Sequence, residues 1–167
     1  MIMKDRSPAT RKSRETGNAM AAKRDRADLC VPGSMCEAYH YDQPAAFSRG
    51  MTVTLPGARM VFVSGTASVG ADGSSLYPGD FAAQARRAFE NARSVLREAG
   101  ADWHDVVKVT VLLRDIARDY QAFNEARCDY FRRIELSTYP ASTCVEARLC
   151  REELLVEMEM LAIKTEA

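Results

Sequence analysis

The chain has 167 residues, and its 23 Lys and Arg are balanced by 23 Asp and Glu, so no net charge draws it to nucleic acid or to an anionic membrane. Its length and its 47% of hydrophobic residues fit one domain with a buried core. No apolar stretch approaches the roughly 20 residues that cross a bilayer, and the polar N-terminus has no secretory h-region. We therefore expect a cytoplasmic protein that binds neither nucleic acid nor membranes.

The cysteines form an odd set of five without a CxxC pair. This pattern is typical of reduced thiols and not of a disulfide framework or a zinc cluster. We expect neither a metal nor another cofactor.

The N-terminal segment differs in composition from the rest of the chain. The first 35 residues contain eight Lys or Arg, four Asp or Glu and no aromatic residue. Such a segment buries too little apolar surface to offset an ordering cost of about 1 to 2 kcal/mol per residue. The sequence predicts a disordered polar and basic tail over residues 1–36 and a folded domain over residues 37–167. A basic nucleic-acid arm is the weaker interpretation, because no aromatic residue is available for stacking.

The folded part begins with a predicted β-hairpin. Apolar residues alternate over Met51–Leu55 and form a run over Met60–Val63, with a Pro-Gly turn between them. The Gly- and Ser-rich segment 64–79 predicts a loop, which ends at Asp80, a residue suited to cap a helix. The following helix extends to Gly100 and has one apolar stripe at three- and four-residue spacing.

The second half of the chain continues the alternation of strands and helices. The patterns predict a strand over residues 107–113, a helix over residues 119–131, and strands over residues 141–146 and 154–163. The order ββαβαββ predicts an α+β fold, a mixed sheet with two helices on one face. On the predicted last strand, the odd-numbered and the even-numbered positions are both rich in apolar residues. The face of the sheet that carries no helix should therefore be apolar and self-associate.

Five short segments stand in a fixed order along the chain. They are VFVSGTASV at 61–69, AG-x-x-x-x-DVVKVTV at 99–111, FNE at 123–125, YPAS at 139–142 and VEMEMLAI at 156–163. Together they resemble the YjgF, or RidA, family of reactive-intermediate deaminases over about residues 47–164. The resemblance implies a chorismate-mutase-like subunit, a homotrimer with a central barrel, and small-molecule clefts between the subunits.

The resemblance also implies roles for individual residues. In the family's enamine and imine deaminases, a Glu on the last strand positions water and an Arg in a PARS segment binds the substrate carboxylate. Glu157 matches that Glu and is the catalytic candidate. The candidate substrate-binding residues are Phe47, Arg49, Ser64, Gly65, Thr66, Asn124, Ser142, Cys144 and Arg148.

Two positions depart from the family pattern. Ser142 stands where the family has its carboxylate-binding Arg, and Phe47 stands where it has a Tyr. A charge-assisted hydrogen bond contributes roughly 1.5 to 3 kcal/mol, or about one to two orders of magnitude in binding. We therefore do not expect 2-aminoacrylate, the standard enamine, to be a good substrate. Arg49 and Arg148 are candidates to supply the missing charge.

The leading hypothesis is an enzyme that hydrolyses or deaminates a small imine, enamine or related unsaturated substrate, with Glu157 acting on the water. A chorismatase-like hydrolase or lyase is one alternative, because the SGTAS segment at 64–68 resembles that group. A non-catalytic ligand-binding or chaperone-like trimer is another, since the family Arg is missing. Ribonuclease activity is not supported, because the sequence supplies neither a basic groove nor a pair of catalytic His residues. His40 and His104 lie in segments whose pattern indicates exposure to solvent.

Overall fold

A computed structural model describes residues 25–165, in which six strands form one mixed sheet and two helices cover one of its faces. This arrangement confirms the predicted α+β fold class. The strands are β1 (Arg26–Leu29), β2 (Gly50–Leu55), β3 (Ala58–Ala67), β4 (Val106–Leu113), β5 (Ala141–Glu146) and β6 (Val156–Thr165), and the helices are α1 (Phe81–Glu98) and α2 (Ile116–Arg133).

The last strand of the chain lies in the middle of the sheet. The spatial order is β1-β2-β3-β6-β4-β5, and all neighbours are antiparallel except the parallel pair β4 and β5. Because β6 is hydrogen-bonded along both edges, side chains on it are carried by a rigid element.

Alternate residues of β6 lie on opposite faces of the sheet, as predicted. Val156, Met158, Met160 and Ala162 are buried against the helices. The open face, which carries no helix, keeps a row of large apolar side chains that are 38% to 42% exposed. These are Leu55, Phe62, Val145 and Ile163.

The core beneath the helices is aromatic where α1 and α2 meet. The Phe89 ring lies 4.8 Å from the Tyr130 ring, 5.7 Å from the Trp103 ring and 5.9 Å from the Phe123 ring, measured between centroids. Aromatic pairs at such distances add about 0.5 to 1.5 kcal/mol each beyond the area they bury. This cluster fixes the spacing between the two helices.

Helix α1 is capped as its sequence predicts. The Asp80 carboxylate accepts a hydrogen bond of 2.9 Å from the Ala83 N–H, and Gly100 follows the helix with a φ of 72°. Within the part of the chain that the structure describes, neither helix is long and apolar enough to span a membrane.

The predicted tail boundary is wrong for residues 25–36. Strand β1 pairs with β2, and Met35 and Ala38 are fully buried. The composition misleads here because β1 is an edge strand, held by backbone hydrogen bonds, in which only Leu29 is buried. Residues 1–24 of the predicted tail lie outside the described residues.

The predicted loop over residues 64–79 is also wrong at its start. Strand β3 continues to Ala67 after a register shift between Val63 and Thr66. A bulge of this kind lets a Ser-Gly pair sit inside a strand, which a composition rule assigns to a loop.

Candidate functional site

An open cleft of about 1010 Å³ lies where the end of β3 meets the start of β6. Its walls are completed by the segment before β2, the loop after β3 and the loop between β5 and β6. Residues that line it include Tyr41, Phe47, Arg49, Gly65, Asp72, Arg151, Glu153 and Glu157. Four of these, Phe47, Arg49, Gly65 and Glu157, were predicted from the sequence as site residues.

The bulge in β3 turns Gly65 into the cleft. The Ser64 hydroxyl donates a hydrogen bond of 2.7 Å to the Ser48 carbonyl, and the Thr66 hydroxyl donates one of 2.7 Å to the Ser64 carbonyl. Thr66 is fully buried and pairs with Met158 on the helix-covered side. Ser64 and Thr66 were predicted to bind substrate, but their hydroxyls are engaged in shaping the bulge.

The Glu157 carboxylate lies directly over the Gly65 backbone. Its Oε1 occupies the space that a Cβ on Gly65 would take, and its Cδ is 3.1 Å from that Cβ position. Only a residue without a side chain leaves room for the carboxylate here. The Ser-Gly pair of the SGTAS segment and the last-strand Glu are therefore parts of one local arrangement.

Burial raises the pKa of the Glu157 carboxyl, and the nearby Glu159 carboxylate raises it further, while the Arg49 guanidinium opposes the shift. A carboxyl group with a raised pKa is better suited to exchange protons near neutral pH than an ordinary exposed Glu. The surroundings of Glu157 therefore shift its carboxyl group toward the protonated form.

Arg49 is almost fully buried, with 3% of its surface exposed. Its Nε donates a hydrogen bond of 3.0 Å to the Cys36 carbonyl, and its Nη2 donates to the same carbonyl and to the Tyr41 hydroxyl. Its guanidinium carbon lies 5.5 Å from the centroid of the Phe47 ring. Arg49 is therefore held by Cys36, the last residue of the predicted tail, and by Tyr41 and Phe47 of the predicted domain.

A second guanidinium in the cleft belongs to Arg151, which the sequence analysis did not identify. Its Nη1 donates hydrogen bonds of 2.7 Å to the Gly73 carbonyl and 3.2 Å to the Ser75 hydroxyl. Its guanidinium carbon is 4.9 Å from the Tyr41 ring centroid, and that of Arg49 is 5.3 Å from the same centroid. One aromatic ring thus contacts both cations.

Arg148, predicted to supply the missing charge, is exposed at the end of β5. The cleft is lined instead by Arg151, three residues further along the chain. No pattern in the sequence distinguishes these two residues, because both stand in a charged stretch without periodicity. Tyr41 was missed for a similar reason, since it lies before the first predicted strand.

The remaining predicted site residues gather around α2 and β5. Arg127 donates hydrogen bonds of 2.5 Å to the Asn124 side-chain oxygen and 3.2 Å to the Ser142 hydroxyl. Burial raises the pKa of the Cys144 thiol, which the positive charge of Arg127 partly offsets. The structure therefore places a guanidinium beside Ser142, although Ser142 itself replaces the family Arg.

The two groups of predicted residues lie on opposite faces of the sheet. Glu157 pairs with Leu112, which pairs with Val145, and paired residues share a face. Met158 pairs in the same way through Val111 with Cys144, on the face that the helices cover. Within one subunit, Glu157 and the group around Ser142 therefore cannot contact the same small molecule.

Two buried amides on α1 hold the walls of the cleft. The Gln84 side-chain N–H donates to the Tyr77 carbonyl at 3.1 Å and to the Glu153 carbonyl at 2.8 Å, and its oxygen accepts from the Leu155 N–H at 2.9 Å. The Asn91 side chain donates to the carbonyls of Ala67 and Val69, both at 2.9 Å. These bonds fix the loops that carry the lining residues.

Across residues 25–165, no group of three or more His, Cys, Asp or Glu side chains is arranged to hold a metal ion.

Comparison with known proteins identifies the family of the chain. Residues 41–164 match the family model described as Endoribonuclease L-PSP. The chain belongs to this family, which confirms the resemblance to the YjgF, or RidA, proteins.

Individual relatives agree with this assignment. A RutC family protein of Pyrococcus abyssi is 36% identical over 104 residues, which is 62% of this chain and 78% of that protein. A protein of Capra hircus named 2-iminobutanoate/2-iminopropanoate deaminase is 32% identical over 106 residues, or 64% of this chain and 74% of that protein.

Solved structures share the fold. The crystal structure of the YjgF gene product of E. coli superposes with a TM-score of 0.65 at 26% identity, over 82% of this chain and 98% of the other. That of E. coli TdcF with bound serine superposes with a TM-score of 0.68 at 25% identity, over 83% and 99% of the respective chains.

Proposed function

We propose that this protein catalyses the water-assisted hydrolysis, or deamination, of a small imine, enamine or related unsaturated substrate in a cleft between subunits. The observation that carries the proposal is the position of Glu157, a part-buried carboxyl with a raised pKa that faces an open cleft and has two guanidinium groups nearby. A proton donor and acceptor beside fixed cations suits hydration of a polar double bond.

The chemistry follows from one carboxyl group. For an imine, the Glu157 carboxylate takes a proton from water while the water oxygen bonds to the imine carbon, and the nitrogen gains a proton. The resulting carbinolamine loses ammonia as the carbon–oxygen double bond forms, so that imine and water give ketone and ammonia. An enamine first accepts a proton on its β-carbon, for which the protonated form of Glu157 is the donor.

The substrate carboxylate expected for such compounds would meet Arg151. Arg151 presents a guanidinium from the loop between β5 and β6, and only its Nη1 has partners among the described hydrogen bonds. Arg49 uses both its Nε and its Nη2 on the Cys36 carbonyl and Tyr41. We therefore assign carboxylate binding to Arg151 and the tuning of the Glu157 charge to Arg49.

Two features support a cleft that is completed by a second copy. The group around Ser142 and Asn124 lies on the face of the sheet opposite Glu157, so both groups can meet one ligand only if they come from different subunits. The apolar row on the open face also needs a cover in water. A homotrimer, which the family resemblance implies, brings the two groups of residues together at one cleft and covers the apolar row.

The relatives support the substrate class. The Capra hircus relative is named for the deamination of 2-iminobutanoate and 2-iminopropanoate, which are small imino acids. The similar TdcF structure contains serine, a small amino acid. Both ligands are small carboxylates that carry nitrogen.

The proposal is tested by generating 2-iminobutanoate from threonine with a separate dehydratase and following its loss in the presence of this protein. We expect faster loss with the unaltered chain, a decrease of about 10² to 10⁴-fold in the Glu157→Gln variant, and little change in the control Glu98→Gln, which changes an exposed Glu at the end of α1. Equal rates for Glu157→Gln and the unaltered chain would overturn the role of Glu157. Saturable binding without turnover would instead indicate a ligand-binding protein.

A further inference from the structure

A groove of about 380 Å³ lies between the first half of α1 and the end of α2. None of the residues that line it lines the Glu157 cleft or belongs to the group around Ser142. We propose that this groove binds a small phosphate monoester that carries an aromatic ring. The proposal does not depend on the proposed reaction in the Glu157 cleft.

Three guanidinium groups meet at the groove. Arg86 and Arg87 come from the second turn of α1, and Arg133 is the last residue of α2. Among residues 25–165, no carboxylate lies within ion-pair distance of any of the three. By contrast, Arg93 and Arg132 on the same two helices have carboxylate partners at 2.9 and 3.0 Å. The groove therefore gathers cations that the fold leaves without an acidic partner.

One carboxylate, that of Glu90, also lines the groove. It stands four residues after Arg86 and three after Arg87, spacings at which opposite charges on a helix can pair, yet it forms no ion pair with either among the described residues. Three guanidinium groups and one carboxylate leave two net positive charges. A phosphate monoester carries a charge of about −1.5 to −2 at pH 7 and so balances them.

The start of α1 adds to the positive potential of the groove. Asp80 caps this end through the Ala83 N–H, Ala83 lines the groove, and the first turn of the helix contains no acidic residue. The N-terminal end of a helix carries a partial positive charge, which arginines in the next turn do not offset. A bound anion would relieve this accumulation of like charge.

Two polar groups of the lining residues are buried without a well-formed hydrogen bond. Tyr130 is 2% exposed, and its hydroxyl makes no hydrogen bond of standard geometry with any described residue. Arg87 donates from Nη2 to the Ser34 carbonyl at 2.7 Å, but its buried Nε has no partner in the described part of the chain. Burial and the Glu90 carboxylate raise the pKa of Tyr130, and the Arg93 charge opposes them in smaller measure, so the hydroxyl keeps its proton.

Each such buried donor costs about 1 to 3 kcal/mol until it finds an acceptor. A phosphate group offers three strong acceptor oxygens, enough for the Tyr130 hydroxyl and for guanidinium N–H groups at once. The unpartnered donors and the unpaired cations thus indicate the same kind of ligand.

Tyr77 supplies an aromatic surface at the same groove. Its side chain is 52% exposed, and its φ of 56° lies in the left-handed region, which is uncommon for a residue other than glycine. Its carbonyl accepts hydrogen bonds of 3.1 Å from the Asp80 N–H and 3.1 Å from the Gln84 side chain. The backbone is therefore fixed with the ring exposed beside the arginines, where an aromatic ligand can stack on it.

The test uses phenyl phosphate as the probe, with titration calorimetry on the full chain. We expect saturable binding of phenyl phosphate, about three- to tenfold weaker binding of inorganic phosphate, and no binding of phenol, which lacks the charge. Tyr77→Leu should reduce the affinity for phenyl phosphate to that for inorganic phosphate. Equal affinities of the unaltered protein for the two phosphates, or no saturable binding of phenyl phosphate, would overturn the proposal.

Charge variants test the guanidinium groups. Because Arg86 and Arg133 are exposed, Arg86→Gln and Arg133→Gln should leave the fold intact and each weaken binding about tenfold. Arg132→Gln, at the exposed position beside Arg133, is the matched control and should leave the affinity unchanged. If Arg132→Gln and Arg133→Gln bind phenyl phosphate equally well, the arginines of the groove do not hold it.

The single carboxylate gives a test of opposite sign. Glu90→Gln should tighten the binding of phenyl phosphate, because it removes the one negative charge that lines the groove, whereas Glu98→Gln, at an exposed position of the same helix, should not change it. Unchanged or weaker binding in Glu90→Gln would contradict the charge argument.

Arginine modification of the unaltered protein locates the probe without any substitution. We expect phenyl phosphate to slow the reaction of Arg86 and Arg133 with phenylglyoxal, read by peptide mass spectrometry, and to leave that of Arg132 unchanged. Protection of Arg151 in place of Arg86 and Arg133 would put the probe in the Glu157 cleft and refute the assignment. Protection of no arginine, at a concentration that saturates the calorimetric signal, would refute it as well.

Discussion

The Glu157 carboxylate rests on Gly65, with its Oε1 in the space that a Cβ would fill and its Cδ 3.1 Å from that Cβ position. The bulge that brings Gly65 to this place is built by the hydroxyls of Ser64 and Thr66. A motif on β3 and a carboxyl on β6 therefore form one unit, although about 90 residues separate them in the chain.

Replacing Gly65 with Ala should displace the Glu157 carboxylate, because the added methyl group meets the end of a flexible side chain and not the backbone. We expect the chain to stay folded and kcat for imine hydrolysis to fall about 10 to 100-fold, since a displacement of this size disturbs proton transfer. Gly33→Ala is the matched control, since a methyl group added there would meet no atom within 4 Å. Unchanged kcat in Gly65→Ala would show that the carboxylate position does not matter.

Replacing Glu157 with Gln should stabilise the protein at neutral pH while it removes activity. Burial raises the pKa of this carboxyl in the folded state, so its contribution to stability is full below the pKa of the unfolded chain and is lost as the pH rises through the folded pKa. Gln carries no charge and avoids this loss. Thermal unfolding should give a higher Tm for Glu157→Gln at pH 7.

The Tm difference between Glu157→Gln and the unaltered chain should shrink as the pH is lowered below about 4, where an ordinary Glu is protonated in both states. Glu159→Gln, at an exposed position of the same strand, should show a smaller difference at neutral pH. A lower Tm for Glu157→Gln at pH 7 would mean that the charged carboxylate is stabilised in the cleft and not penalised.

Replacing Arg151 with Gln should weaken substrate binding more than it slows the reaction. Loss of one guanidinium–carboxylate contact costs roughly 1.5 to 3 kcal/mol, so KM should rise about 10 to 100-fold with kcat within a few fold of the original value. Arg148→Gln, an exposed Arg nearby, is the control and should leave both constants unchanged. The assignment fails if Arg148→Gln and Arg151→Gln behave alike.

Replacing Gln84 with Met should destabilise the fold. The variant keeps the length of the side chain but leaves the carbonyls of Tyr77 and Glu153 and the Leu155 N–H without their partner. With three buried groups affected, we expect a loss of about 2 to 4 kcal/mol in urea unfolding. Gln121→Met, at an exposed position of α2, should change the unfolding free energy by less than about 0.5 kcal/mol.

Much of the fold follows from periodicity alone. The alternation in β6 predicted which of its side chains share a face of the sheet, and Asp80 and Gly100 predicted both ends of α1, because these signals are local. Strand β1 was missed because its RADL sequence has no alternation of its own and is ordered by pairing with β2. An edge strand of this kind is specified by its neighbour and not by its own residues.

The sequence predicted those residues of the candidate site that lie in a segment resembling the family. Glu157 and Gly65 were found through the family resemblance, and the structure places them together. Tyr41 and Arg151 come from loops about 110 residues apart, with no spacing rule to connect them, and meet only in the folded chain. Arg127 was missed for a related reason, since a lone Arg on a helix is typical of a solvated charge until its contact with Ser142 is known.

The central claim, that the working site is completed by a second copy of the chain, is tested most directly by sedimentation equilibrium at micromolar concentration, with imine hydrolysis measured on the same sample. Because Phe62 belongs to the apolar row of the open face, Phe62→Asp should separate the copies. We predict three chains per particle for the unaltered protein, and dissociation together with loss of hydrolysis for Phe62→Asp. A single, folded chain that hydrolyses the imine at full rate would contradict the account.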